Sequence, residues 1–353
     1  MRHRTSSNVR RFMTRVGTIK LTNWYKGHTS FRTPHSALHT PVWVHRFAVL
    51  TAAATLCLIF VGGLVTSTGS GLAVPDWPLS FGQVFPPMVG GVLYEHGHRM
   101  VAAFVGLLTV ILVVLLSRWE PRAWVRWFAR GALLAVVLQG LLGGLTVLWR
   151  LPTAVSVTHA CLAQTFFCLT VILAVCTAPS WQERPTLAPD RGQPPLRWLA
   201  TVATGAVFVQ LFLGALMRHT GAGLAIPDFP LAFGRLWPPL ESPAVVIHFL
   251  HRLGAVLVIL CVGWTVARIL QQYRAERHLR RLALLAVGGV VVQLTLGALS
   301  IWTRRAVLPM TAHVAVGAAV LATSLVLTLR IYRCIPVSVG AGRRALVSEQ
   351  VTI

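Results

Sequence analysis

The sequence predicts an all-α integral membrane protein: eight transmembrane helices, built as two tandem four-helix bundles related by a pseudo-two-fold axis along the membrane normal. Three observations carry this. Of 353 residues, 55% are hydrophobic and 12% charged, with a mean hydropathy of +0.68, more apolar surface than a soluble fold can hide from water. The apolar residues gather into eight segments of about 20 residues, the length that crosses roughly 30 Å of hydrocarbon. And one half of the chain repeats the other.

The segments run near 46–66, 95–117, 130–149, 153–177, 197–217, 246–268, 281–302 and 307–330. The first four form an N-terminal repeat over 45–178 and the last four a C-terminal repeat over 197–332, with a linker at 179–196 and a tail at 333–353. Residues 1–44 are basic, with Arg2, Arg4, Arg10, Arg11, Arg15, Lys20, Lys26 and Arg32 and no acid. They lack the apolar stretch of a cleavable signal. They read as a disordered cytoplasmic tail or as an upstream start-codon artefact, rather than as a transit peptide.

Lys and Arg total 32 against 9 Asp and Glu, a formal charge of +23. In a soluble protein this excess would point to nucleic acid. Here the basic residues fall between apolar runs, and topology accounts for them. Arg118, Arg122, Arg126 and Arg130, then Arg184, Arg191 and Arg197, then Arg268, Arg274, Arg277, Arg280 and Arg281, then Arg330, Arg333, Arg343 and Arg344 lie on the side of the N-terminus. The positive-inside rule makes that side cytoplasmic, for both termini. The long loops 67–94 and 219–245 then face outward.

The repeat is readable at four landmarks. GLAVPDWPLSFG starts at Gly71 and GLAIPDFPLAFG at Gly223, an offset of 223 − 71 = 152. His98-Arg99 matches His251-Arg252 (251 − 98 = 153), and His159 matches His313 (313 − 159 = 154). Gln139 with Gly143 matches Gln293 with Gly297, again 154 apart. Four helices per unit insert both units in the same sense.

His98, His159, His251 and His313 therefore recur as two pairs inside apolar helices. Ionisable groups at that depth are costly and point to function; the alternative for a single one is a hydrogen-bonded packing residue. Each pair enters the membrane from the outer side at similar depth, so two imidazoles can face each other across a four-helix core, as in bis-His haem ligation. Copper or zinc is the other reading, but two nitrogens without Cys or carboxylate partners suit haem better than a closed zinc site. Glu95 shares a helix face with His98. It is either a residue of the helix N-terminus, favoured there by the dipole, or a carboxyl that moves protons beside the metal. The second half has His248 at that place, expected to face the loop or to support a ligand. Arg99 and Arg252 either meet haem propionates or snorkel to the interface. Asp76 and Asp228 sit in Pro/Gly loops read as structural lids. Gly143, Gly144, Gly214 and Gly297 are expected at close helix contacts. Cys57, Cys161, Cys168, Cys176, Cys261 and Cys334 show no metal-ligand spacing and are expected to be small buried hydrophobes.

In the two GLA(V/I)PD loops, the Glu95-His96-Gly97-His98-Arg99 and His251-Arg252 blocks, and His159 and His313, the chain resembles the haem A synthase family over about residues 45–330. The resemblance implies oxidation of the C8 methyl of haem O to a formyl group, through two hydroxylations and loss of water, giving haem A for terminal oxidases in a bacterial cell membrane. It implies substrate haem O between His98 and His159, a haem b cofactor on His251 and His313, Glu95 as the catalytic acid, and haem O synthase as the donor of substrate. Many bacterial members carry a cysteine pair in the first outward loop; loops 67–94 and 219–245 have none, so a step assigned to a loop disulfide has no counterpart here. The alternative is a bis-His b-type cytochrome acting only in electron transfer. Both expected sites lie near one face, and Glu95 has no task in a relay. A transporter, the third reading, would break its helices at mid-membrane rather than place its prolines in loops. Oligomeric state, including a homo-oligomer, is left open.

Overall fold

The computed structural model describes residues 39–183 and 186–336. Most of the basic N-terminal stretch, Arg184, and residues 337–353 of the C-terminal tail with Arg343 and Arg344 lie outside the described residues. Eight helices are long and apolar enough to cross a membrane: α1 (Val42–Ser67), α2 (Gly91–Trp119), α3 (Ala123–Leu148), α4 (Thr153–Thr177), α5 (Leu196–His219), α6 (Pro243–Gln272), α7 (Arg277–Trp302) and α8 (Val307–Cys334). A one-turn helix, Pro179–Gln182, opens the linker. Proline stands immediately before α1, α4 and α5 and opens α6, where a missing N–H removes no intrahelical bond.

Several helices start earlier than the apolar segments do. α3 begins at Ala123 and α7 at Arg277, so Arg126, Arg277 and Arg280 are helical rather than in loops. Arginine is a good helix former and its stem can lie along apolar surface while its head reaches water. At this basic end the cations stack on aromatic rings. Arg130 lies 4.6 Å from the centroid of Trp127, Arg122 5.6 Å from Trp124, and Arg330 and Arg333 5.6 and 5.3 Å from Trp181. Glu120, buried between α2 and α3, pairs with Arg122 at 2.7 Å and accepts the Thr40 hydroxyl. Burial alone would push this carboxyl up, but Arg122 and Thr40 hold it below its ordinary value.

α1 packs on α2, α2 on α3, α3 on α4 and α4 on α1; α5 to α8 close the same ring. The rings join through α1–α8, α4–α5 and α4–α8. Under the repeat α1 corresponds to α5 and α4 to α8, so the first two joints exchange and the third pairs a helix with its counterpart, as a two-fold relation requires. The solid cores lie at the basic end: Val44, Leu116, Val125 and Leu173 in one half, Leu196, Ile269, Leu279 and Ile331 in the other. The loop end is hollow.

Each turn from α3 to α4 and from α7 to α8 follows one plan. Arg150 and Leu151 have φ of 58° and 60°, and Arg304 and Arg305 have 49° and 71°. Leu151 N–H bonds Thr146 O at 2.7 Å and Arg305 N–H bonds Ser300 O at 2.8 Å, six-residue closures that satisfy carbonyls left over at the helix end.

Candidate functional site

A cavity of about 1380 Å³ occupies the hollow end and runs through both halves. His98, His159, His251 and His313 all line it. They stand at equivalent depth: 98 − 91 = 7, 159 − 153 = 6, 251 − 243 = 8 and 313 − 307 = 6 residues past the starts of their helices, about 9–12 Å along the axis at 1.5 Å per residue.

Each imidazole rests on a glycine of another helix. A Cβ on Gly62 would lie 3.1 Å from His98 Cε1, and one on Gly143, Gly214 or Gly297 would lie 3.2 Å from Cε1 of His159, His251 or His313. These glycines lie at contacts between neighbouring helices, where they clear space for rings. Gly144 serves likewise, because a Cβ there would stand 2.7 Å from the Trp77 indole of the first loop.

Three imidazoles also have a glutamine one turn before the glycine. Gln139 Nε2 donates to His159 O at 3.0 Å and lies 3.2 Å from its Nε2. Gln210 Nε2 donates to His251 O at 2.8 Å. Gln293 Nε2 lies 3.2 Å from His313 Nε2, while His313 Nδ1 is 3.1 Å from Gln293 O. The fourth place holds Leu58; Nδ1 of His98, like Nδ1 of His159, is buried without a partner. The sequence showed Gln139 and Gln293 as landmarks only; Gly62 and Gln210 were not singled out.

The ring centroids of His251 and His313 are 6.4 Å apart, with planes at 65°. Two metal–nitrogen bonds of about 2 Å each, plus the distance from nitrogen to ring centre on either side, fill that gap. Among the described residues no three or more His, Cys, Asp or Glu side chains gather to hold a metal ion. That leaves the closed zinc site without ligands, whereas a haem brings four equatorial nitrogens of its own. The donor set, the His251–His313 spacing and the cavity volume fit a porphyrin.

Glu95 is buried, 4% exposed. α2 starts four residues before it, so it is not an interfacial residue of the helix terminus. Its Oε2 accepts Val74 N–H at 2.8 Å and its Oε1 pairs with Arg99 at 2.7 Å. In the second half His248 Nδ1 accepts Ile226 N–H at 3.2 Å. Val74 and Ile226 are 226 − 74 = 152 apart, so acid and imidazole occupy one matched socket. Arg99 also donates to the carbonyls of Asp76 and Leu79 at 2.8 and 2.9 Å, and Arg252 to those of Asp228 and Leu231 at 2.6 and 2.8 Å. Both arginines tie loops down. Both also line the cavity, and this tie to the loops cannot be read before the loops are folded.

The loops end in matched hairpin turns, Ser80 to Gln83 and Ala232 to Arg235. Phe81 and Gly82 have φ of 54° and 69°, Phe233 and Gly234 56° and 71°, the pattern of a type I′ turn. Asp76 accepts the N–H groups of Phe81 and Gly82 at 2.7 and 2.9 Å, and Asp228 those of Phe233 and Gly234 at 2.7 and 2.8 Å. The Gly82 and Phe81 amides hold the Asp76 carboxyl below its ordinary value, and Gly234 and Phe233 do the same for Asp228. Of the cysteines, Cys176 and Cys334 are buried, three are half-buried and Cys57 is exposed. The expectation of six buried thiols fails because a lipid-facing position accepts a small apolar side chain equally well.

A family model described as cytochrome oxidase assembly protein (COX15-CtaA) matches residues 45–91 and 89–325. The chain belongs to this family. Relatives within reach of it include a heme A synthase of Symbiobacterium thermophilum, 36% identical over 71% of this chain and 83% of its own length. Heme A synthases of Shouchella clausii and Alkalihalophilus pseudofirmus are 31% and 29% identical, each over 74% of this chain and 88% of their own. The match takes in all eight spans except the first three residues of α1 and the end of α8, and with them all four imidazoles.

Proposed function

We propose that this chain is a haem A synthase of the bacterial cell membrane, oxidising the C8 methyl group of haem O to a formyl group to give haem A for terminal oxidase assembly. The observation that carries this is one cavity with two glycine-backed imidazole pairs, of which the first alone has a carboxylate in its socket. In this reading 45–178 is the substrate half, where His98 and His159 hold haem O, received from haem O synthase. The half at 197–332 is the cofactor half, where His251 and His313 hold haem b. Bound there, haem b supplies one-electron redox chemistry.

The chain's own residues bind, orient and shield. The glycines admit the rings, and Gln139, Gln210 and Gln293 fix three of them, as outer partners of metal ligands do. His98, without such a partner, is the ligand best able to release a substrate. The lids, pinned by Asp76, Asp228, Arg99 and Arg252, keep water from the loop end. Glu95 is the acid of the reaction, able to take or give a proton at its carboxylate beside His98. The basic end faces the cytoplasm with both termini, and the imidazoles lie toward the outer face.

The test is pigment extraction and haem chromatography from cells expressing this chain beside a haem O producer. Haem A should appear with the intact chain and be absent with His251→Ala or His313→Ala. Purified protein without a haem spectrum would sink the reading.

A further inference from the structure

Among the described residues four arginines line the cavity, and two of them, Arg99 and Arg252, already commit both terminal nitrogens to loop carbonyls or a carboxylate. The other two line it near the junction of the halves: Arg218 in the last turn of α5, and Arg305 in the α7–α8 turn. Arg218 stands one turn beyond Gly214, on the face that carries the His251 ring. It reaches across to α1, donating to Ser67 Oγ at 2.7 Å and Gly63 O at 3.3 Å, next to the glycine behind His98. Its Nε is buried without a partner. Arg305 lies close enough to repel it electrostatically. Among the described residues no carboxylate pairs with either guanidinium. Of the acids at this end, Glu95 is held by Arg99, Asp76 and Asp228 by their own turns, and Glu241 is exposed and does not line the cavity.

A guanidinium with a buried, unpartnered Nε beside an apolar cavity, with a second, exposed arginine nearby and no counter-ion, marks a place for an anion. The matched positions in the first half are Thr66 (218 − 152) and Leu151 (305 − 154), so the feature belongs to the second half. Both arginines ride on elements that back the second imidazole pair. A guanidinium presents a planar fork suited to carboxylate, and a porphyrin bound here carries two propionates.

We propose that Arg218, assisted by Arg305, is the carboxylate anchor for the porphyrin held by His251 and His313. This rests on the haem reading above. A phospholipid phosphate is the other anion of suitable chemistry at this depth, and the test separates the two.

The full-length protein is stripped of haem and titrated with haem b and with its dimethyl ester, which lacks the charges but keeps the ring and iron. Wild type should prefer the free acid by about tenfold or more, the worth of a charged hydrogen bond. Arg218→Gln should remove most of that preference and leave the ester affinity unchanged. Arg218→Lys should keep part of it, and Arg305→Gln should lose less than Arg218→Gln. A low-spin bis-imidazole spectrum with the ester reports that each variant is folded. An unchanged acid-over-ester preference in folded Arg218→Gln overturns the proposal. So does loss of a co-purifying anionic phospholipid from that variant with the preference intact, which would assign the arginines to lipid. Wild type that takes up neither porphyrin would instead defeat the haem reading itself.

Discussion

Glu95 has two jobs that ordinary truncation would confuse. It accepts the Val74 amide and pairs with Arg99, and losing one partner of a buried ion pair costs about 3–5 kcal/mol. Its counterpart His248 holds the equivalent amide without an acid. Glu95→His should therefore keep the first loop closed and haem bound, yet form no haem A, read by haem chromatography beside a haem-content assay. Haem A from that variant would reduce Glu95 to a loop anchor. Gly297 offers a second test. Its Cβ would stand 3.2 Å from His313 Cε1, and overpacking of this kind costs about 1–3 kcal/mol. Gly297→Ala should lose haem from the second half at unchanged helix content by circular dichroism. Full haem retention would mean the ring has slack that the contact does not suggest.

At the scale of elements, the lids depend on two turns with left-handed φ at both central residues. A non-glycine residue there costs roughly 1–2 kcal/mol, and Phe81 and Phe233 bear that strain because Asp76 and Asp228 hold their amides. The carboxyls' folded values lie below the ordinary 3.8. Their contribution is complete above 3.8 and fades only as pH falls through the lower, folded value. Protection of the Phe81 and Phe233 amides, their exchange rate relative to the intrinsic rate at each pH, should thus be constant from neutral pH down to the ordinary carboxylate range and fall below it. Asp76→Asn should lose that protection already at neutral pH; retained protection there would mean the turn holds itself.

The elements also show what could be read in advance. The eight spans were legible because each is a continuous apolar run, and their starts were not, because helical arginines look like loop. The four imidazoles were legible through repetition against an apolar background. The glycines behind them were visible as residues but not in purpose, since a small side chain looks the same whether it admits a helix or a ring. Arg99 was left between haem propionates and the lipid interface because its loop partners lie about 20 positions back in sequence, a closure that only the folded turn reveals. Arg218 went unnoticed because the repeat has no cation to match it.

Across the whole molecule, solid packing at the basic end supports a hollow at the other, and the imidazole contacts are made between neighbouring helices: α1 to α2, α3 to α4, α5 to α6 and α7 to α8. The stacked Arg130–Trp127 and Arg122–Trp124 pairs near the start of α3 give that helix a float line in the headgroup region. A lipid film thinner or thicker than its natural one would make α3 lean or ride up, and Gly143 would slide away from His159. Reconstitution in phosphatidylcholines of graded acyl length should then give a haem A yield peaking at one thickness, with the peak broadened by Trp127→Ala. A flat profile would show that the bundle moves as a rigid plug.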